Sequence, residues 1–313
     1  MTVKNHIMDD KTLDELATLR AEVKRLRKAL NRLSPGIDML LKRRGFSIYK
    51  KEPAADLLIP AKKHLAAYYQ MLHKYSFRLL LRDIIKHQEL FTPEQVTRYA
   101  TPAITKEYLD YLLSIRLIKK KATAYTLAKG PIASFGVTLE WYIAEIFKRE
   151  FGSESVWGVK FKRPKIGGDY DVIAKLDSSL IYSEVKSSPP KQIYDSEIAA
   201  FLDRVADLAP AIAVFFMDTE LRMKDKLVPM FEKELQKRYE PPPNVVRMER
   251  ELFQIQDRIF IVNAKESIIG NIEKVVSWHY QKAGNLLHKP FSVTLSEAKG
   301  LVHRKRDSSR SLS

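Results

Sequence analysis

Cysteine is absent from all 313 residues. Its absence excludes disulfides, cysteine-ligated zinc and thiol nucleophiles, and leaves a cytoplasmic location as the expectation. No apolar run approaches the roughly 20 residues that a membrane-spanning helix needs. The best one, residues 208–217, has the length of a core strand. The opening stretch MTVKNHIMDDKTLDELA carries no apolar signal core, so neither a leader nor a membrane partner is expected. The seven histidines run from His6 to His303 without metal-ligand spacing. There is no internal repeat, no GxxxxGK[ST] phosphate loop and no GxGxxG fingerprint, which removes the P-loop and dinucleotide-binding readings.

What the chain has in excess is positive charge. Against 38 Asp plus Glu stand 54 Lys plus Arg, a formal net charge of +16. So wide a surplus favours a polyanionic partner, with nucleic acid first and an anionic membrane surface second.

Along the chain the patterns divide into blocks. In residues 1–40, Leu16, Leu19, Val23, Leu26, Leu30, Leu33 and Ile37 step by three and four, the seam of a coiled coil. With Leu16 at position a, Glu15 and Glu22 fall at g and Arg20 and Arg27 at e, which suits a parallel homodimer through residues 13–37. The alternative is an amphipathic helix packed on its own domain. A basic connector, 41–68, follows. Residues 69–130 read as three helices, the second opened by Thr92 as N-cap with Pro93 after it, and then a basic hairpin, IKKKATAYTLAKG. From 131 to 284 a helix is followed by alternating strands and helices, which predicts an α/β domain of three layers: a mixed sheet flanked by helices. The remainder, 285–313, ends in HRKRDSSRSLS and is expected to be a disordered basic tail.

Against the overall basicity, GGDYDVIAKLDSSLIYSEVKSSPP (residues 167–190) places acids beside two apolar strands. Alternation puts Leu180, Tyr182, Glu184 and Lys186 on one face. Residues 177–179 form a tight turn that returns the second strand antiparallel beside the first. Asp171, at the entry of the first strand, then meets Glu184 and Lys186 at one end of the hairpin. Two carboxylates at such spacing suit Mg2+ or Mn2+. The lysine can orient or deprotonate an attacking water, or stabilise charge on a pentavalent phosphorus. A bound cation would also turn the acidic pocket into one that accepts phosphate. The bland reading is a surface salt-bridge ladder, which the apolar character of both strands disfavours.

GGDYDV, a short hairpin and SEVK resemble the PD-(D/E)xK, or restriction-endonuclease-like, nuclease superfamily, in the flavour of archaeal Holliday junction resolvases and related helicase-associated nuclease domains. The resemblance spans about residues 136–264. It implies a metal-dependent phosphodiesterase with Asp171 and Glu184 as metal ligands and Lys186 as the catalytic cation. The helix GVTLEWYIAEIFKREFG matches the family's upstream element and adds Glu140 as an auxiliary ligand. Tyr170 stands where many members have proline, and the QxxxY element of the exonuclease branch is missing, which points to an endonuclease. Asp169 is an outer-shell ligand or, preferably, a turn acid. The preceding block, with YLLSIRLIKKKATAYTLAK at its end, looks like a winged helix-turn-helix domain. In that family the third helix enters the major groove and the wing touches backbone. Here this places Thr105, Lys106 and Tyr108 towards DNA and Lys119, Lys120 and Lys121 on phosphates. Ser187 and Lys191, just past the acidic motif, are candidates for phosphate contact or for a solvated loop. The function expected is DNA cleavage by a Mg2+-dependent endonuclease; a non-catalytic DNA-binding or regulatory protein and an RNA-cleaving enzyme remain as alternatives.

Overall fold

The computed structural model describes residues 34–162 and 167–287, with backbone only over 283–287, and part of 15–29. An eight-stranded sheet organises the chain. Its strands are β1 (Ile48–Lys50), β4 (Ser155–Phe161), β5 (Tyr170–Leu176), β6 (Ser179–Lys186), β7 (Ile212–Met217), β8 (Val245–Glu249), β9 (Leu252–Ile255) and β10 (Ile259–Asn263). The spatial order is β1-β4-β5-β6-β7-β10-β9-β8. The pairs β6-β7 and β7-β10 are parallel and the other five antiparallel. This is a mixed α/β fold. Every residue of β7 is buried, as a strand covered on both faces must be.

The covering comes from two sets of helices. On one face α6 (Gly136–Glu150) and α9 (Ile268–Leu287) pack Leu139, Ile143, Phe147, Ile272 and Val275 with Val172, Ala174, Ile181 and Val214 of the sheet. On the other, α1 (Ile37–Arg43), α7 (Asp195–Leu208) and α8 (Leu227–Arg238) pack Leu41, Phe201 and Phe231 with Ile173, Tyr182 and Phe215. Neighbouring strand residues thus enter opposite clusters, the period of two that the sequence shows.

Residues 65–127 supply α2 (Leu65–Leu72), α3 (Tyr75–Lys86), α4 (Pro93–Val96), α5 (Pro102–Ser114) and a separate two-stranded hairpin of β2 (Ile118–Lys121) and β3 (Ala124–Leu127). The Gln95 side-chain oxygen accepts the Thr92 N–H at 2.8 Å, and the Thr101 hydroxyl accepts from Ile104 N–H at 3.3 Å, so α4 and α5 both begin on a threonine followed by proline. The apolar side chains of these helices join the same cluster as α6 and the sheet.

Three expectations need correction. Thr105 and Tyr108 do not face outward: both are buried, because they sit on the same inward stripe of α5 as Leu109 and Leu112. Helix α8 starts at Leu227 rather than at Leu221, where the pattern LRMKDKLVPMFEKELQKRY would begin it, since Pro229 lacks an N–H and is tolerated only in a first turn. The segment 41–68 is more than a link, contributing β1 and burying Phe46, Leu57 and Leu58. Leu30 and Leu33 of the coiled-coil seam, and the tail beyond 287, lie outside the described residues, and Ile37, the last seam position, is buried in α1 instead. Of the seam, Leu19, Val23 and Leu26 stand exposed on helical positions. Among the described residues no helix is long and apolar enough to cross a membrane.

Candidate active site

The register of β5 against β6 pairs Val172 with Ser183, which sets Asp171 level with Glu184 on the neighbouring strand. Asp171 closes that ladder with its side chain, Oδ2 accepting the Val185 N–H at 2.7 Å. One face of β6 presents Tyr182, Glu184 and Lys186 in succession. Glu184, only 3% exposed, is held by three donors. Lys186 Nζ lies 3.0 Å from Oε1; Arg204 Nη1, from α7, lies 3.0 Å from Oε2; and the Tyr182 hydroxyl also donates to Oε2. Lys186 is anchored a second time by Glu197 of α7 at 3.2 Å. Glu197 and Arg204 are two helical turns apart, so one edge of α7 lies over the strand end.

Electrostatics link a fourth acid to this group. Burial, then the charges of Asp169 and Glu184, push the Glu140 carboxyl of α6 up to about 7. Burial and the facing Glu184 and Glu140 charges likewise hold Asp171 well above the usual carboxylate range. Burial alone would lower Lys186, but Glu184 and Asp171 outweigh it and keep the amine above its ordinary value. Lys186 is therefore a standing ammonium at neutral pH, which favours orienting and charge-stabilising roles over proton abstraction. Two glycines shape the surroundings. Gly158 has φ +56°, and a Cβ there would lie 2.5 Å from Pro53 Cδ and 3.7 Å from Glu140 Oε2. Gly168 has φ +101°, and the Arg204 guanidinium rests against it. Asp169 pairs with Lys160 at 2.8 Å and is 45% exposed, the environment of a turn acid.

The donor chemistry fits a hard divalent cation: oxygen ligands only, two carboxylates level on adjacent central strands, and mutual repulsion that a cation would relieve. Among the described residues no three acids or histidines form a closed ligand cage. A divalent ion on Asp171 and Glu184 would therefore have to complete its shell with waters or phosphate.

The other candidates lie apart from this cluster. Ser187 is partly buried just beyond Lys186, and Lys191 is exposed with its carbonyl accepting from Lys226 at 2.8 Å. Lys106 is exposed and paired with Asp110 at 2.9 Å. Lys119, Lys120 and Lys121 are exposed along β2. Sequence reasoning missed Tyr182, Glu197 and Arg204 as members of the site. The signal for Arg204 was a lone cation between Phe201, Leu202 and Val205 on an otherwise apolar helix face.

A second buried ionic centre sits at the same sheet edge. Asp218, directly after β7, is fully buried and bound by Arg78 through Nε at 2.9 Å and Nη2 at 2.8 Å, and by Arg82 through Nη2 at 2.5 Å. Both arginines come from α3. The Asp218 N–H in turn donates to the Lys186 carbonyl at 2.8 Å, so this centre touches the strand that carries the acidic site.

No protein-family model matches the sequence, and no curated protein does. Among solved structures the chain is similar to Can2 from Sulfobacillus thermosulfidooxidans, determined in complex with cyclic tetra-adenylate, at 14% identity and a TM-score of 0.45 over 77% of this chain. It is also similar to protein VC1899 from Vibrio cholerae, at 15% identity and a TM-score of 0.40 over 79% of this chain. It spans 60% and 57% of those two chains.

Proposed function

We propose that this protein is a divalent-metal-dependent endodeoxyribonuclease of the restriction-endonuclease-like kind. The observation that carries the reading is the convergence of Asp171 and Glu184 on adjacent central strands with a protonated Lys186 bound to Glu184, in a chain of net charge +16. An unneeded buried acid pair would be costly, because each carboxylate raises the cost of ionising the other. Asp171 and Glu184 would hold Mg2+ or Mn2+, with Glu140 as auxiliary ligand. When bound, such an ion supplies Lewis acidity and a more acidic water. The Lys186 ammonium neutralises charge that develops on the phosphate oxygens and orients the nucleophile. Ser187 and Lys191 border the strand end where a DNA backbone would pass.

Helices α3 to α5 with the β2-β3 hairpin form the DNA-delivery module in this reading, as a winged helix would. Lys119, Lys120 and Lys121, pointing to solvent on β2, and Lys106 on α5 bind phosphates. Burial of Thr105 and Tyr108 leaves backbone contacts as the main contribution of this unit.

The test is incubation with supercoiled plasmid and with a four-way junction, in Mg2+ or Mn2+ against EDTA, for the wild type, Lys186→Ala and Glu184→Gln. Metal-dependent cutting that either substitution lowers by at least about a hundredfold supports the enzyme. Binding without cutting, unchanged in Lys186→Ala, transfers the protein to the non-catalytic DNA-binding class.

A further inference from the structure

We propose that Arg204 is a built-in counter-cation of the acidic site: it holds Glu184 while no divalent ion is bound, and turns to the substrate phosphate when one is. The inference rests on the nuclease reading and concerns how its site is kept in the absence of metal.

Both oxygens of Glu184 are engaged, Oε1 by Lys186 and Oε2 by Arg204 and Tyr182. A metal ion therefore has to take an oxygen from a protein partner. The partners are not equally fixed. Lys186 is tied to a second carboxylate, Glu197, at 3.2 Å, and Tyr182 is a fully buried ring whose hydroxyl cannot leave without the strand. Among the described residues Arg204 pairs with no second carboxylate; it also hydrogen-bonds the Tyr182 side chain, while its Nε is buried with no hydrogen-bond partner. Its guanidinium rests against Gly168, where a Cβ would lie 2.8 Å from Nη2. The backbone beneath it is fixed, since Phe201, Leu202 and Val205 lock α7 into the core.

Like charges complete the argument. Asp171 and Glu140 both face Glu184, and Lys186 and Arg204 are the cations that balance them. A divalent ion between the carboxylates would make the second balancing cation surplus. A freed guanidinium next to the site has the planar fork that suits a phosphate.

Isothermal titration of the metal-free full-length protein with MgCl2 and with MnCl2 tests this, comparing the wild type with Arg204→Met, Arg204→Lys and Glu184→Gln. Arg204→Met should bind either ion about tenfold more tightly than the wild type. Arg204→Lys should return to within about twofold of the wild type, and Glu184→Gln should abolish binding. Should Arg204→Met fail to fold by circular dichroism, Arg204→Gln takes its place with the same expected direction. Wild-type binding that Glu184→Gln removes, but that neutral substitutions at 204 leave equal or weaker, overturns the counter-cation role and leaves the nuclease reading standing. No metal binding by any of the proteins overturns both.

Discussion

At the scale of single residues, the most demanding positions lie around the acidic cluster rather than in it. Gly158 combines a left-handed backbone with a Pro53 ring that would lie 2.5 Å from any Cβ. Gly158→Ala should cost about 1–3 kcal/mol, read as a lower urea midpoint with an unchanged slope. Among the described residues, Asp218 is the sole carboxylate on the fully buried Arg78 guanidinium. Asp218→Asn leaves that charge without its counter-ion, and a loss of about 3–5 kcal/mol is expected. A substitution of both partners by apolar residues should be much milder. His73 gives a pH dependence. Burial lowers its pKa, the Glu150 charge opposing and Arg78 adding to the effect, and Nε2 is buried without a partner. The unfolded chain then takes up the proton first as pH falls through about 6.5. Stability should fall with pH from there towards the lower folded value, and His73→Phe should flatten that slope in melts at about pH 7.5 and about pH 5.5.

At the scale of elements, what the sequence made legible followed from periodicity and punctuation. Strands β5, β6 and β7 were readable because apolar runs of strand length were bounded by Gly167-Gly168, by residues 177–179 and by Pro210. Helix α4 announced itself by Thr92-Pro93, whereas the Thr101-Pro102 start of α5 was read only from its apolar stripe after Ile104. Asp171, Glu184 and Lys186 were legible as a set because a tight antiparallel turn leaves only one register that buries both strands. Strands β1 and β8 were not legible. They are edge strands of three and five residues with mostly exposed side chains, so no alternation marks them. Tyr182, Glu197 and Arg204 were hidden for another reason: their role depends on the crossing of α7 over β6, a tertiary fact that no spacing encodes. The hairpin carries its own prediction. Replacing Lys119, Lys120 and Lys121 together by alanine should weaken duplex binding similarly for unrelated sequences, and flatten its salt dependence by about two to three units of slope. The fold should be unaffected, since all three side chains are exposed.

At the scale of the whole molecule, the exposed Leu19, Val23 and Leu26 form an apolar line that no other described residue covers. Pairing with a second copy would bury it, the Glu and Arg positions beside the line giving the register. Sedimentation equilibrium should report a dimer for the full chain and a monomer once residues 1–33 are removed; a monomer in both cases removes the pairing. Such pairing would place two acidic sites on one DNA, as double-strand cutting or junction resolution requires.

The Arg78–Asp218–Arg82 centre has a mechanical meaning at this scale. Helix α3 is clamped to the residue after β7, and that residue's N–H holds the carbonyl of Lys186. If the helical unit grips DNA and the end of β6 cuts it, as proposed, the two would be parts of one lever joined through this clamp. A flexible tether between binder and blade gives ragged ends spread over many positions. A clamp of this kind would act as a ruler: in the proposed reading each scission would fall at a constant distance from the stretch of duplex that the helices protect.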